Sequence, residues 1–389
     1  MSPVNRGKFA GPWHRWAMTP AARTRLVFAS ATAFLLVACS DGEASAPSGE
    51  TFAPATTPPS TAAASPAPDK PRTVNLGQGQ AIAADLEVPW GLAFLPDGSA
   101  LVSERDRGDI RQIPAGGGTP KKVHTVDGVD AGGEGGLLGV AVDPDYQRNK
   151  YVYAYFTASG DNRIIRFTLG GSSEVIFKGI EKAGIHNGGR LAFGPDNFLY
   201  VGTGDAGNGS ASQDRGNVNG KILRITRDGK PAPGNPFPGS PVWSLGHRNV
   251  QGLAWGPDKK MYGIEFGQNT WDEVNVIQPG KNYGWPEVEG KEGNGRYVDP
   301  IVQWGTDEAS PSGAAVAGNT LYVAGLRGER LWTVPLGGGA PKAALTGEHG
   351  RLRTVAVAPD GALWVTTSNR DGRGDPRNDD DKILRFPAR

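Results

Sequence analysis

Phe193-Gly194-Pro195-Asp196-Asn197, followed by Leu199-Tyr200-Val201, decides the fold because it is one of six copies. Phe94-Leu95-Pro96-Asp97-Gly98 precedes Leu101-Val102, and Val142-Asp143-Pro144-Asp145 precedes Tyr151-Val152-Tyr153. Trp255-Gly256-Pro257-Asp258 precedes Met261-Tyr262, and a degenerate Val316-Ala317-Gly318-Asn319 precedes Leu321-Tyr322-Val323. Val357-Ala358-Pro359-Asp360-Gly361 precedes Leu363-Trp364-Val365. Proline presets each turn, Asp bonds nearby backbone N–H groups, and Gly or Asn tolerates positive φ.

The markers Pro96, Pro144, Pro195, Pro257, Ala317 and Pro359 lie 42 to 62 residues apart. Several short strands per unit at that period are the signature of a β-propeller. Six markers predict an all-β, six-bladed propeller, its two ends sharing one blade. A β-sandwich would need about half the length. Propellers gather loops around a central channel, so polar residues far apart in sequence are expected to converge at one face.

Outside the repeat, residues 1–38 read as a lipoprotein signal peptide. Arg23 and Arg25 precede an apolar run, Leu26 to Ala38, too short to span a bilayer. Leu36-Val37-Ala38-Cys39 resembles the bacterial lipoprotein processing box and predicts lipid on Cys39. Residues 39–71 are a Ser/Pro/Ala/Thr-rich tether, and 72–389 the catalytic propeller. The expectation is an extracytoplasmic monomer anchored to the bacterial cell membrane only by this lipid. Cys39 is the single cysteine, which excludes a disulfide framework and a zinc–thiolate site. The first 38 residues carry five basic and no acidic side chains, so removing them takes the formal charge from +1 to about −4. That balance argues against a nucleic-acid partner.

Two polar segments stand apart from core and turn. Ile185-His186-Asn187-Gly188-Gly189-Arg190 places an imidazole among small residues, a candidate general base. Asp205 follows the next strand and can orient it. Gly246-His247-Arg248-Asn249-Val250-Gln251-Gly252 supplies a permanent charge beside an amide. Gly202 to Gly207 spells Gly-x-Gly-x-x-Gly, but the following residues read as non-helical, which argues against a dinucleotide site. Arg327 and the alternating Arg351 and Arg353 suggest a fork for carboxylates. Glu265 to Asn275 and Asn282 to Pro286 mix carboxylates with glycine-rich backbone, the oxygen donors that calcium prefers. The acidic run Asp371 to Asp381 reads as a solvated loop.

Together these segments resemble the soluble quinoprotein sugar dehydrogenases, which use pyrroloquinoline quinone (PQQ). The resemblance rests on Val88-Pro89-Trp90-Gly91-Leu92, Glu134-Gly135-Gly136-Leu137-Leu138-Gly139, the His186 and Arg248 segments, Asp272-Glu273-Val274-Asn275 and Asn282-Tyr283-Gly284-Trp285-Pro286. The short spacing from Pro286 to Trp304 is similar to the aldose sugar dehydrogenase branch. It implies oxidation of aldoses at C1 to lactones, with an external electron acceptor. It implies His186 as base, Asp205 beside it and the sugar, and Arg248 and Asn249 on the cofactor. Arg327, Arg351 and Arg353 would receive the three PQQ carboxylates, with Trp304 and Thr306 flanking. The carbonyls of Gly267 and Gln268 would hold one calcium; Glu273 and the Tyr283 carbonyl would hold a second, structural one. Glu134 stands where the glucose enzyme has glutamine and is a candidate substrate contact. Arg327 replaces a lysine and Gln268 a proline, departures that bear on substrate choice. Two other readings are a calcium-dependent propeller lactonase, which gives the arginines no role, and a non-catalytic glycan- or protein-binding propeller.

Overall fold

The computed structural model describes residues 73–389, so the expected lipoprotein signal, Cys39 and the whole 39–71 tether lie outside the described residues. Six four-stranded antiparallel sheets follow one another along the chain. Their first strands, Pro89–Phe94, Leu137–Val142, Arg190–Phe193, Val250–Trp255, Pro311–Ala317 and Leu352–Val357, ring a central axis. They open blades 1 to 6 in that order. Blade 6 continues through Leu363–Thr367 and Ile383–Phe386 and is completed by Gln80–Ala83 from the other end of the described chain. Ala81 faces Leu384 across that seam, the closure expected from the repeat.

All six marker turns join the first strand of a blade to its second. Their carboxylates work as the composition suggested. Asp97, Asp196, Asp258 and Asp360 each accept the backbone N–H two residues on. In the second copy Asp143 takes that role, leaving room for a one-turn helix, Tyr146–Asn149. In an up-and-down blade, these turns mark one face, and the second-to-third-strand and inter-blade loops mark the other. His186, Asp205, Arg248 and Arg327 all occupy loops of that other face.

Packing occurs between blades. Leu101 and Ile110 of blade 1 meet Val152 and Ala154 of blade 2. Tyr153 and Tyr155 of blade 2 meet Leu199 and Val201 of blade 3. Each such buried side chain contributes roughly 1.5–3 kcal/mol, so the ring is held by the flat faces of its blades and not by a filled centre.

Two expectations need correction. A short helix, Gly209–Gln213, does follow the Gly-x-Gly-x-x-Gly stretch. No dinucleotide motif results, because the flanking strands Leu199–Gly202 and Lys221–Ile225 pair antiparallel instead of forming a βαβ unit. The acidic C-terminal run is not a solvated loop throughout: Asp380 and Asp381 are buried, and the Asp371 carboxylate is covered. Asp371 is offset by arginines, and Asp381 accepts from the N–H groups of Asn369 and Arg370.

Candidate active site

His186 enters from the loop before blade 3 with φ of 55°, a left-handed conformation that strains a residue bearing a side chain. Three contacts hold it there. The Glu134 carboxylate accepts its N–H at 2.9 Å, and Ala206 N–H donates to its carbonyl at 3.2 Å. Gly204 lies so close that a Cβ there would sit 1.8 Å from the His186 oxygen.

The ring is held at both nitrogens. Nδ1 lies 2.7 Å from Asp205 Oδ1, and Nε2 lies 2.7 Å from Arg248 Nη2. An arginine can only donate, so Nε2 carries the lone pair and Nδ1 carries the proton. Asp205 accepts that proton's bond, the Trp285 indole N–H at 2.8 Å and the Gly207 N–H at 2.8 Å. Burial alone would push Asp205 up, but the His186 bond and these donors hold it below the usual carboxylate range.

Arg248 is drawn down by burial. Its guanidinium also donates to Gln268 Oε1 at 2.6 and 2.9 Å and to the Phe266 carbonyl at 3.1 Å. Its backbone N–H is tied to Glu265. His247, fully buried and stacked on Tyr283, bridges Ser244 and Glu265, a structural role. Asn249 accepts from Gly188 N–H, and its buried Nδ2 has no partner.

Next to Glu134 opens a cavity of about 320 Å³ lined by Arg105, Arg327, Arg351, Arg353 and Arg373, with Gln251 and Phe266. Arg351 and Arg353 share the Asp371 carboxylate at 2.9 and 3.3 Å, as their alternation suggested. Burial pulls Arg353 down to about 10, which still leaves it cationic at neutral pH. Trp304 and Thr306 do not line this cavity. Trp304 stacks on Trp332 at 5.0 Å, and Thr306 Oγ1 reaches the Asn269 carbonyl at 3.4 Å. Arg105 and Arg373 were not singled out in the sequence; each sits in an ordinary-looking charged turn, Asp106 or Asp375 nearby.

Glu289 is a second residue the motifs did not reveal. One of its oxygens accepts four backbone N–H groups, from Gln268, Asn269, Thr270 and Trp271, at 2.6 to 3.1 Å. Burial raises its pKa, but these bonds prevail and lower it. With the N–H groups turned inward, the carbonyls of Gly267 and Gln268 accept no hydrogen bond among the described residues. They are free for a hard cation. Nearby, Glu265 and Glu273 flank a void of about 10 Å³, with Tyr283 on its wall. Burial and the Glu265 charge push Glu273 up to about 8. The adjoining Asn275 Oδ1 is buried without a partner. A divalent cation would satisfy this orphaned oxygen chemistry. Among the described residues no three acidic, histidine or cysteine side chains converge, so backbone carbonyls must complete any such shell.

The PQQ-bound aldose sugar dehydrogenase of Streptomyces coelicolor superposes with a TM-score of 0.79 at 53% identity, over 83% of this chain and 100% of that one. The Escherichia coli aldose sugar dehydrogenase YliI is 29% identical over 79% of this chain and 94% of its own length. Quinoprotein glucose dehydrogenase B of Acinetobacter calcoaceticus is 34% identical over 56% of this chain and 54% of its own. The family model described as glucose/sorbosone dehydrogenase matches residues 86–384, most of the described chain, and the chain belongs to that family.

Proposed function

We propose that this protein oxidises the C1 hydroxyl of aldoses to lactones with PQQ and calcium. The observation that carries the reading is His186, held between Asp205 and Arg248 at the side of an arginine-lined cavity. PQQ, when bound, accepts the hydride released from C1.

The chain's own residues handle the proton. The sugar hydroxyl displaces Arg248 from His186 Nε2 and delivers its proton there, as the C1–H bond is lost and the C1=O bond forms. Asp205 stabilises the resulting imidazolium, and Trp285 fixes the carboxylate that does so. Arg248, still tethered by Gln268 and the Phe266 carbonyl, places positive charge where negative charge develops. Arg327, Arg351, Arg353, Arg105 and Arg373 suit a ligand bearing several carboxylates. The Gly267 and Gln268 carbonyls would hold the calcium beside the cofactor, and Glu273 with the Tyr283 carbonyl the structural one.

Glu134 is already engaged on both oxygens, by His186 N–H and by Arg373 at 3.2 Å. Each oxygen keeps a further lone pair that a sugar hydroxyl would use. A lactonase would leave the arginine set without purpose.

The test is dye reduction by the purified chain loaded with PQQ and Ca²⁺, across a panel of aldoses. Turnover that His186→Ala abolishes supports the reading. Cofactor binding without reduction of any aldose would overturn it.

A further inference from the structure

Arg190 is 7% exposed, lines a second cavity of about 440 Å³ between the first strands of the blades, and has no carboxylate partner among the described residues. Its Nε donates to the Gln251 carbonyl at 2.6 Å and its Nη2 to Thr354 Oγ1 at 3.0 Å. Its guanidinium lies 4.4 Å from the Trp90 ring centroid, and that of Arg353 lies 5.9 Å from the same ring. Gly313 makes room for it; a Cβ there would stand 3.1 Å from Nη2. Burial first, then the Arg353 charge, pulls Arg190 down to about 9, so it stays cationic at neutral pH.

Charged groups around the cavity do not balance. Arg105 is matched by Asp106, Arg373 by Glu134, and Arg351 and Arg353 share Asp371. Arg327 and Arg190 have no carboxylate among the described residues. Five guanidiniums line the cavity against the carboxylates of Asp106, Glu134 and Asp371, and Arg190 adds a further unpaired charge behind them.

Burying an unmatched charge disfavours folding, and isosteric apolar replacements of buried charges are often neutral or stabilising. Two neutral acceptors and an aromatic face offset only part of that penalty. Arg190 is therefore poorly explained by the fold alone. The surplus is positive, as an anionic ligand requires, and Arg190 lies behind Gln251 and Arg353, which line the cavity.

We propose that Arg190 is an electrostatic receptor for the anionic cofactor, acting from behind the cavity wall and retained at the expense of apo-protein stability. This rests on the PQQ reading above. It adds a residue whose contribution to binding and to stability have opposite signs.

Arg190→Met and Arg190→Lys in the full-length chain test it, by PQQ titration followed in visible absorbance and by thermal unfolding without PQQ. Arg190→Met is expected to weaken PQQ at least about tenfold while its cofactor-free unfolding midpoint stays level or rises. Arg190→Lys, which keeps the charge, is expected to retain most of the affinity. A fall in the apo midpoint with unchanged affinity would make Arg190 a structural residue and overturn the proposal. Equal losses of affinity in both variants would overturn it too, since charge would then not be the cause. Should the parent bind no PQQ, the dehydrogenase reading falls, and citrate decides Arg190 separately. A citrate-dependent rise in midpoint that Arg190→Met loses sustains the assignment, and an equal rise in both proteins defeats it.

Discussion

His186 Nε2 and Arg248 Nη2 lie 2.7 Å apart, and this pairing leaves the imidazole a single tautomer. A guanidinium has no lone pair to offer, so the proton must sit on Nδ1, against Asp205. Asp205→Asn removes the charge that steadies the imidazolium and permits the opposite tautomer. The expected result is a fall in kcat of about 10²–10⁴-fold with a small change in KM. Steady-state dye reduction checks it, with PQQ titration confirming that the cofactor still binds.

Gly204→Ala offers a way to move His186, the proposed base, without touching its chemistry. The added Cβ would overlap the His186 carbonyl and push the loop aside. Displacements of about 1 Å can lower rates by about 10²-fold, and a comparable loss is expected here. The same kinetics measured alongside circular dichroism separate a shifted base from an unfolded blade.

Glu289 gathers four N–H groups and so turns the neighbouring carbonyls outward. Glu289→Gln is expected to lower Ca²⁺ affinity by about 10–100-fold, the usual size of an effect transmitted through a ligand's support. Reconstitution after EGTA treatment, titrating Ca²⁺ at fixed PQQ, reads it. Unchanged half-saturation would show that the loop does not depend on this carboxylate.

Asp371 is held below its ordinary 3.8; burial opposes this, while Arg353 and Arg351 overcome it. A depressed aspartate contributes stability that is present above the unfolded value and lost as pH falls through the folded one. Asp371→Asn should therefore be less stable than the parent at pH 7, with the gap narrowing below about pH 3.8. Urea midpoints at the two pH values give the comparison.

His124 behaves as a buried neutral ring. It stacks on Phe167 at 4.1 Å, and burial lowers its pKa from 6.5. Below pH 6.5 the unfolded chain takes up the proton first, so stability falls with pH until the folded pKa is reached. His124→Gln is expected to flatten this part of the profile. Urea midpoints between pH 7.5 and 5 would show an unaltered slope if the ring played no part.

The propeller was legible because its turn chemistry is local: Pro-Asp with a small residue two steps on announces itself in any copy, and even Ala317-Gly318-Asn319 keeps the turn. His186, Asp205, Arg248, Arg351 and Arg353 were legible because each sits in a segment whose glycines or alternation look purposeful. Glu289 and Arg373 were not. Glu289 acts on N–H groups about twenty residues away through a fold-back of the 278–301 excursion. Arg373 meets Glu134 across 239 residues, a contact that no spacing encodes. Asp371 was misread for the same reason, since its partners come from another strand. Arg190 hid in plain view beside the histidine, because the lack of a partner is visible only in three dimensions.

The seam in blade 6 bears on when the protein can become competent. Arg351, Arg353, Asp371 and Arg373 belong to that blade, and its outer strand, Gln80–Ala83, comes from the opposite end of the described chain. A nascent chain lacking its last forty residues has five blades in hand and no complete receptor for a polyanion. On the proposed reading, the receptor is complete only once the last strands have docked against the first.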